Sequence, residues 1–349
     1  MKFGLFIIGD DDPELRLDLT AYYERMLEQV RYGESLGYEC FWFGEHHFDF
    51  HGVIPSPTVL MSAAATCTDT IRLGVAVALL PYRNPVLTAE EYAMIDVLSG
   101  GRLDFGVGRG TPPELVGFGV KEDNRDLLVE SLEVVEMAWR EGRVSYQGRF
   151  HQIDDVSLNV QPVQRPLPPV YFAALSPGSY QVAGERGYPI LGIPFASCKD
   201  MAEVKRKVSG YKETLRENGH DPDTLDVGQT IHTHVAESDA AARRRARPAM
   251  SRYYEARKSV RPRGYDELDQ GRMLMVGGPA RCLEQIEEIA DTGTNYIIFS
   301  MNFAGLDQKS ILESMAMMVE EVLPKVTATA STPATRSRSA GTSSPGRGR

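Results

Sequence analysis

Cysteine is scarce in this chain, and long apolar runs are missing. The four cysteines, Cys40, Cys67, Cys198 and Cys282, are scattered, with no Cys-x-x-Cys pair among them. That argues against a zinc ribbon or a disulfide-stapled scaffold and fits a reducing compartment, the cytoplasm. No stretch approaches the ~20 apolar residues of a membrane span. The chain enters a strand-like segment at once, Lys2 to Ile8, with no signal-peptide pattern. Positive charge is also in deficit. A net charge of −10 is unfavourable for nucleic acid or an anionic membrane, so a small molecule is the expected ligand.

What is present is enough for a large core: 349 residues, 42% of them hydrophobic. Length alone suggests two domains, but a single barrel of about 250 residues or more fits equally well. The end of the chain reads as a separate object. Residues 327–349 are Ser, Thr, Ala, Pro, Gly and Arg, with four arginines and no acid. Such a segment has no apolar periodicity to offset its ordering entropy and is expected to be a disordered tail, leaving 1–326 as the folded unit.

Strand and helix patterns alternate along that unit. Expected strands are Phe3 to Ile8, Cys40 to Phe43, Ile71 to Leu80, Leu103 to Val107, Val170 to Ala174, Ile190 to Gly192, Val227 to Ala236 and Asn295 to Ser300. Helices fall between them, one capped by Thr20, one opened by Pro85, one capped by Asn124 with Leu128, Leu132, Val135 and Trp139 on one face. Val144 to Val160 reads as a hairpin excursion, Arg257 to Arg272 as irregular, and the last helix runs to Leu323. Eight strand–helix units are the count of a closed (β/α)8 TIM barrel with insertions; an open doubly wound sheet is the structural alternative.

The sharpest local signal is Trp42-Phe43-Gly44-Glu45-His46-His47-Phe48. A short apolar run ends abruptly in a carboxylate and adjacent histidines, as a buried parallel strand does where it emerges at its carboxyl end, the end that carries active sites. His46 and His47 should diverge, so that one faces a ligand and the other orients it; hydrogen-bonded histidines plugging a loop are the plain alternative. Gly106-Val107-Gly108-Arg109-Gly110 is not read as a dinucleotide loop, because it does not follow the first strand, no helix is expected to start at once, and Pro112-Pro113 intervene. It reads better as a loop of small residues that lets backbone approach a ligand while Arg109 meets a phosphate. Ser176-Pro177-Gly178-Ser179 offers hydroxyls and N–H groups at a helix start, either an anion site or a simple cap. His232 and His234 share a strand face without a clear carboxylate or cysteine partner, and are read as structural rather than metal-binding. The first strand lacks the His-x-His of a metal-dependent barrel hydrolase, so no metal is expected.

Together these segments resemble the bacterial luciferase-like, flavin-dependent monooxygenases, the luciferase α-subunit group in particular. The match spans Lys2 to Leu323. It includes Met1-Lys2-Phe3-Gly4, Glu45-His46-His47-Phe48, Asn84-Pro85, Asp96-Val97-Leu98-Ser99-Gly100-Gly101-Arg102, Gly108-Arg109-Gly110, Val170-Tyr171, Arg263-Gly264-Tyr265-Asp266 and Val276-Gly277-Gly278-Pro279. The resemblance implies a barrel that binds reduced FMN at the carboxyl ends of its strands. Arg109, Ser176 and Ser179 would hold the phosphate, and Ala76 and Val77, joined by a cis peptide, would lie against the flavin ring. His46 would be catalytic and His47 would support it. A flavin reductase would supply the reduced cofactor, and a flavin peroxide or hydroperoxide would oxidise a small organic substrate. Alternatives are a reduced deazaflavin used for hydride transfer and a silent flavin-binding relative. A homodimer fits the family. The chain departs from luciferase at Gly108, where luciferase has a reactive cysteine, and at Leu175, where it has a glutamate. The short stretch Asp266 to Met275 stands in place of its long mobile lid, which argues against light emission.

Overall fold

A computed structural model describes residues 1–10, 16–48, 52–120, 124–256 and 263–330. Its strands are β1 (Lys2–Ile7), β2 (Cys40–Phe43), β3 (Arg72–Leu79), β4 (Leu103–Gly108), β5 (Arg143–Gln147), β6 (Gln152–Ser157), β7 (Val170–Ala173), β8 (Ile190–Gly192), β9 (Val227–Val235), β10 (Met275–Gly277) and β11 (Tyr296–Ser300). Parallel pairing runs β11–β1–β2–β3–β4–β7–β8–β9 and returns from β9 to β11. That closure excludes the open doubly wound sheet: the fold is the (β/α)8 barrel. The strands expected from the sequence are the barrel strands, to within a residue or so at each end.

The insertions differ more. β5 and β6 form the expected antiparallel hairpin. β10, which sequence patterning did not reveal, adds three residues beside the end of β9, with Met275 opposite Thr233; a strand that short carries no alternation to detect. The stretch expected to be irregular contains the helix Tyr265–Gln270, while residues 257–262 lie outside the described ones. A short helix, Pro112–Gly117, follows β4. The helix Leu19–Ser35 is capped by Asp18, which accepts from the Thr20 and Ala21 N–H groups, not by Thr20 itself. The last helix passes through a π turn and continues to Ala330, so the first residues of the expected tail are helical; the rest, 331–349, lie outside the described residues.

The barrel is filled, not hollow. Trp42, Tyr171 and Tyr296 occupy its interior with Phe6, Ile8, Leu191 and Ile298. Trp42 donates from Nε1 to the Tyr296 hydroxyl at 2.8 Å and meets Tyr171 edge-on, with centroids 5.0 Å apart. Room for the indole comes from Gly74 on the neighbouring strand, where a Cβ would sit 2.2 Å from the Trp42 ring. Below this layer the Tyr171 hydroxyl donates to Asp226, which also pairs with Lys2, and Arg72 binds Asp104. A second apolar layer fills the space between the strands and the surrounding helices. The Asp96–Arg102 motif lies in the loop from a helix back into the barrel. The buried Arg102 guanidinium donates to the Ser99, Ile71, Ala65 and Thr68 carbonyls, and Asp96 accepts from the Val163 and Gln164 N–H groups. These are loop-closing bonds made at the amino ends of the strands. In barrels of this kind the active site lies at the other end, beyond the carboxyl ends of the strands.

Candidate active site

Where β2 ends, Gly44 still donates to Ile7 O at 2.8 Å, and the chain then turns polar. Glu45 is 3% exposed. It accepts from the Leu79 N–H and the Arg83 Nε, each at 3.3 Å, and from His47 Nε2 at 3.0 Å. His46 is tied elsewhere: its Nδ1 lies 2.9 Å from Glu114 Oε1. The adjacent imidazoles thus serve different buried carboxylates. A carboxylate only accepts, so His46 carries its hydrogen on Nδ1, and Nε2 is an acceptor while the ring is neutral. The His46 side chain is 29% exposed, whereas Glu114 is at 1%.

Glu114 was not singled out in the sequence, and the structure makes it the hub of the cluster. It sits at the third position of the helix Pro112–Gly117 in a capping box with Thr111, whose N–H and hydroxyl donate to Oε2 at 2.6 and 2.9 Å. The His47 N–H donates to Oε1 at 3.2 Å. Burial pushes the Glu114 carboxyl up, but the His46 ring and the Thr111 donors outweigh it and hold it below the ordinary glutamate range. Thr111-Pro112-Pro113-Glu114 is a legible capping-box signature with Pro at the first helical position; the sequence reading used its prolines only to reject a dinucleotide loop.

The glycine loop after β4 is packed to the limit. A Cβ at Gly108 would sit 2.3 Å from Val77 Cγ2, and one at Gly110, where φ is +79°, would meet Tyr82 and Glu114 within 3.0 Å. No cysteine side chain fits at Gly108 in this packing. The Ala76–Val77 peptide is cis, as the resemblance implied, and the β3–β4 register shifts there, between Val75 and Ala78. Arg109 is fixed through its backbone: its carbonyl accepts from the Tyr82 hydroxyl at 2.7 Å and from Asn124 Nδ2 at 2.9 Å. Asn124 precedes the helix Arg125–Glu141 as expected, but spends its side chain on this bond and not on a cap. The Tyr82 ring stacks on Phe118, which His47 and Phe48 meet edge-on.

Across β7, Ser176 caps the helix Pro177–Arg186, with its Oγ 2.8 Å from that of Ser179. Arg109 from one segment of the sequence and Ser176 and Ser179 from another line one cleft of about 100 Å³ with Gly108, Gly110 and Arg125. Arg125 is the second residue the sequence did not reveal. Its guanidinium lies over Gly178, where a Cβ would come within 2.8–3.0 Å of it; as a lone arginine at a helix start it carried no signal.

The strand histidines stand apart. His232 Nδ1 pairs with the Tyr254 hydroxyl at 2.7 Å inside an aromatic group with Phe195, Tyr253 and Phe303. His234 is fully buried with neither ring nitrogen hydrogen-bonded, and burial lowers it to about 4, which keeps it neutral. Among the described residues no cluster of three or more His, Cys, Asp or Glu side chains could hold a metal ion. Among them, too, no helix is long and apolar enough to cross a membrane.

A closed barrel with carboxylate-held imidazoles and a basic, hydroxyl-lined cleft at the carboxyl ends of its strands defines an enzyme of the (β/α)8 class. The chain belongs to the luciferase-like monooxygenase family, whose model matches residues 1–296. The monooxygenase RslO1 from Streptomyces bottropensis superposes with a TM-score of 0.87 at 26% identity, covering 93% of this chain and all of that one. The oxygenase component of a flavin-dependent trigonelline monooxygenase from Acinetobacter baylyi is 27% identical over 254 residues, 69% of this chain and 67% of the relative. The oxygenating constituent of 3,6-diketocamphane monooxygenase from Pseudomonas putida, solved in complex with FMN, shares the fold at a TM-score of 0.78 and 20% identity, over 93% and 98% of the two chains.

Proposed function

We propose that this chain is the oxygenase component of a two-component flavin-dependent monooxygenase. It would take reduced FMN from a partner reductase and use O2 to oxidise a small organic substrate. The observation that carries this reading is the cleft joining Arg109, Arg125, Ser176 and Ser179 beside glycines too crowded for any side chain. A small hollow lined by two arginines and two serines suits a phosphate. Bound reduced flavin supplies the electrons and the oxygen-activating ring. The chain's own part is to hold the phosphate with the cleft, to set Ala76 and Val77 against the ring, and to keep His46 Nε2 available for proton transfer while Glu114 fixes its tautomer. His47, tied to Glu45, supports the loop.

Two measurements test this. Arg109→Ala is expected to weaken FMN binding by roughly ten- to hundredfold, as for a lost charge-assisted contact, while riboflavin binding hardly changes. Equal weakening of both means that Arg109 holds the loop and not the phosphate. A screen of organic substrates with reduced FMN and isotopically labelled O2, read by mass spectrometry, is expected to give a product carrying one labelled oxygen. Hydride transfer from a reduced deazaflavin without oxygen uptake would replace this reading, and cofactor binding without any turnover would make the chain a silent relative.

The homodimer expected from the resemblance has support on the surface. Leu87, Met94 and Leu98 lie along one face of the helix Pro85–Leu98 and are 56%, 53% and 51% exposed; Val59 on the adjoining helix is 71% exposed. Spacing of i, i+7 and i+11 sets the three on one helix face, with Glu90 and Glu91 on the turn between Leu87 and Met94. Sedimentation of the intact protein is expected to give a dimer, and Met94→Glu with Leu98→Glu a folded monomer. A wild-type monomer at micromolar concentration removes the assembly.

A further inference from the structure

Arg125 lines two hollows, not one. On one side is the cleft with Arg109, Ser176 and Ser179. On the other is a wider groove of about 360 Å³, between the helices Arg125–Glu141 and Pro177–Arg186, and its lining is acidic: Asp126, Glu130, Glu133 and Glu185 against Arg125 and Arg186. Arg186 is bound to Glu133 at 2.8 Å, so it does little to offset the rest. Glu130 is buried and accepts the backbone N–H groups of Arg149, Phe150 and His151. Asp126 and Glu185 face solvent, Asp126 with a long 3.7 Å pair to Arg149 and Glu185 accepting from Gln181.

We infer that this groove sets the length of the cofactor. The cleft accepts a flavin that ends in a phosphate monoester, and the carboxylates beyond Arg125 exclude flavins whose phosphate is esterified to a further anionic group. The inference rests on the reading of the cleft as the phosphate site. A terminal phosphate stops among guanidinium and hydroxyl groups. A phosphodiester must continue, and because Arg125 lines both hollows, an extension that leaves the cleft past it would meet the acidic groove, where like charges at short range oppose it. FAD, with its pyrophosphate, and deazaflavins with an anionic peptide tail share this chemistry and should share the penalty.

The test uses the full chain with FMN, FAD and an oligoglutamate-tailed deazaflavin as titrants, alongside the variant Asp126→Lys, Glu185→Lys. Wild type is expected to favour FMN over both extended cofactors. The variant should raise affinity for the tailed deazaflavin roughly tenfold more than for FMN at low salt, with the gain shrinking as salt screens it. The neutral variant Asp126→Asn, Glu185→Gln should give a smaller shift in the same direction and serves if the lysine variant fails to fold. Equal gains for every cofactor, or none, overturn the inference while leaving the phosphate site standing, provided wild type still prefers FMN to riboflavin. Loss of that preference overturns both. FAD binding as tightly as FMN in wild type overturns the groove's role alone.

Discussion

Replacing His46 with alanine is expected to slow substrate oxidation at least ~100-fold, the lower range for lost general acid–base assistance, while reduced-flavin binding persists. The two functions separate because they use different loops. The phosphate cleft is built after β4 and β7, and His46 follows β2, bound to Glu114 at 2.9 Å. Hydrogen peroxide released per flavin consumed should rise as oxygen is used without product. Glu114→Gln probes the support behind the ring. Glutamine still accepts through its carbonyl, but loses the charge that stabilises an imidazolium, so turnover should fall by less than in His46→Ala. Thermal melting of both variants controls for folding, since Glu114 also closes the capping box with Thr111. Unchanged rate and yield in His46→Ala would remove this residue from the chemistry and turn attention to His232 and its partner Tyr254.

Much of this architecture was legible because its signals are local. Cys40–Phe43 is apolar throughout and then breaks into Glu45-His46-His47, and the structure places that break at the rim of the barrel. Counting eight strand–helix units allowed a closed barrel and an open sheet alike, and the pairing of β9 with β11 decides for closure. What stayed hidden depends on contacts between distant segments. Glu114 meets His46 from 68 positions away, and Arg125 joins the cleft through a helix whose sequence shows only an amphipathic stripe. Asn124 looked like a cap because its neighbours are helical, yet its amide is drawn to the Arg109 carbonyl. Short elements also escaped: β10 and the helices Pro112–Gly117 and Tyr265–Gln270 are at most six residues long, too brief for a period to show.

The other large effect lies at the opposite end of the barrel. Asp104→Ala is expected to destabilise the fold by about 3–5 kcal/mol, the usual cost of removing one partner of a buried ion pair. Asp104, 3% exposed, accepts from Arg72 Nε at 3.0 Å on both oxygens and from its terminal nitrogen at 2.6 Å. Among the described residues Arg72 has the Leu103 carbonyl and Gln164 Oε1 besides, so loss of the carboxylate leaves a guanidinium, on a side chain only 26% exposed, with its best acceptors gone. Thermal denaturation should show a midpoint lowered by roughly 5–10 °C, given how stability scales with melting temperature in larger domains. The double variant Arg72→Met, Asp104→Leu should recover most of that loss, because replacing both charges with apolar groups of similar volume removes the unpaired ion. Asp104 lies at the amino-terminal end of β4, whereas Gly108, at its other end, lines the cleft; FMN affinity per folded molecule should therefore not change. A melting point within a degree of wild type in Asp104→Ala would mean that water or a shifted side chain takes over the Arg72 guanidinium, and that the pair is not what holds the floor of the barrel.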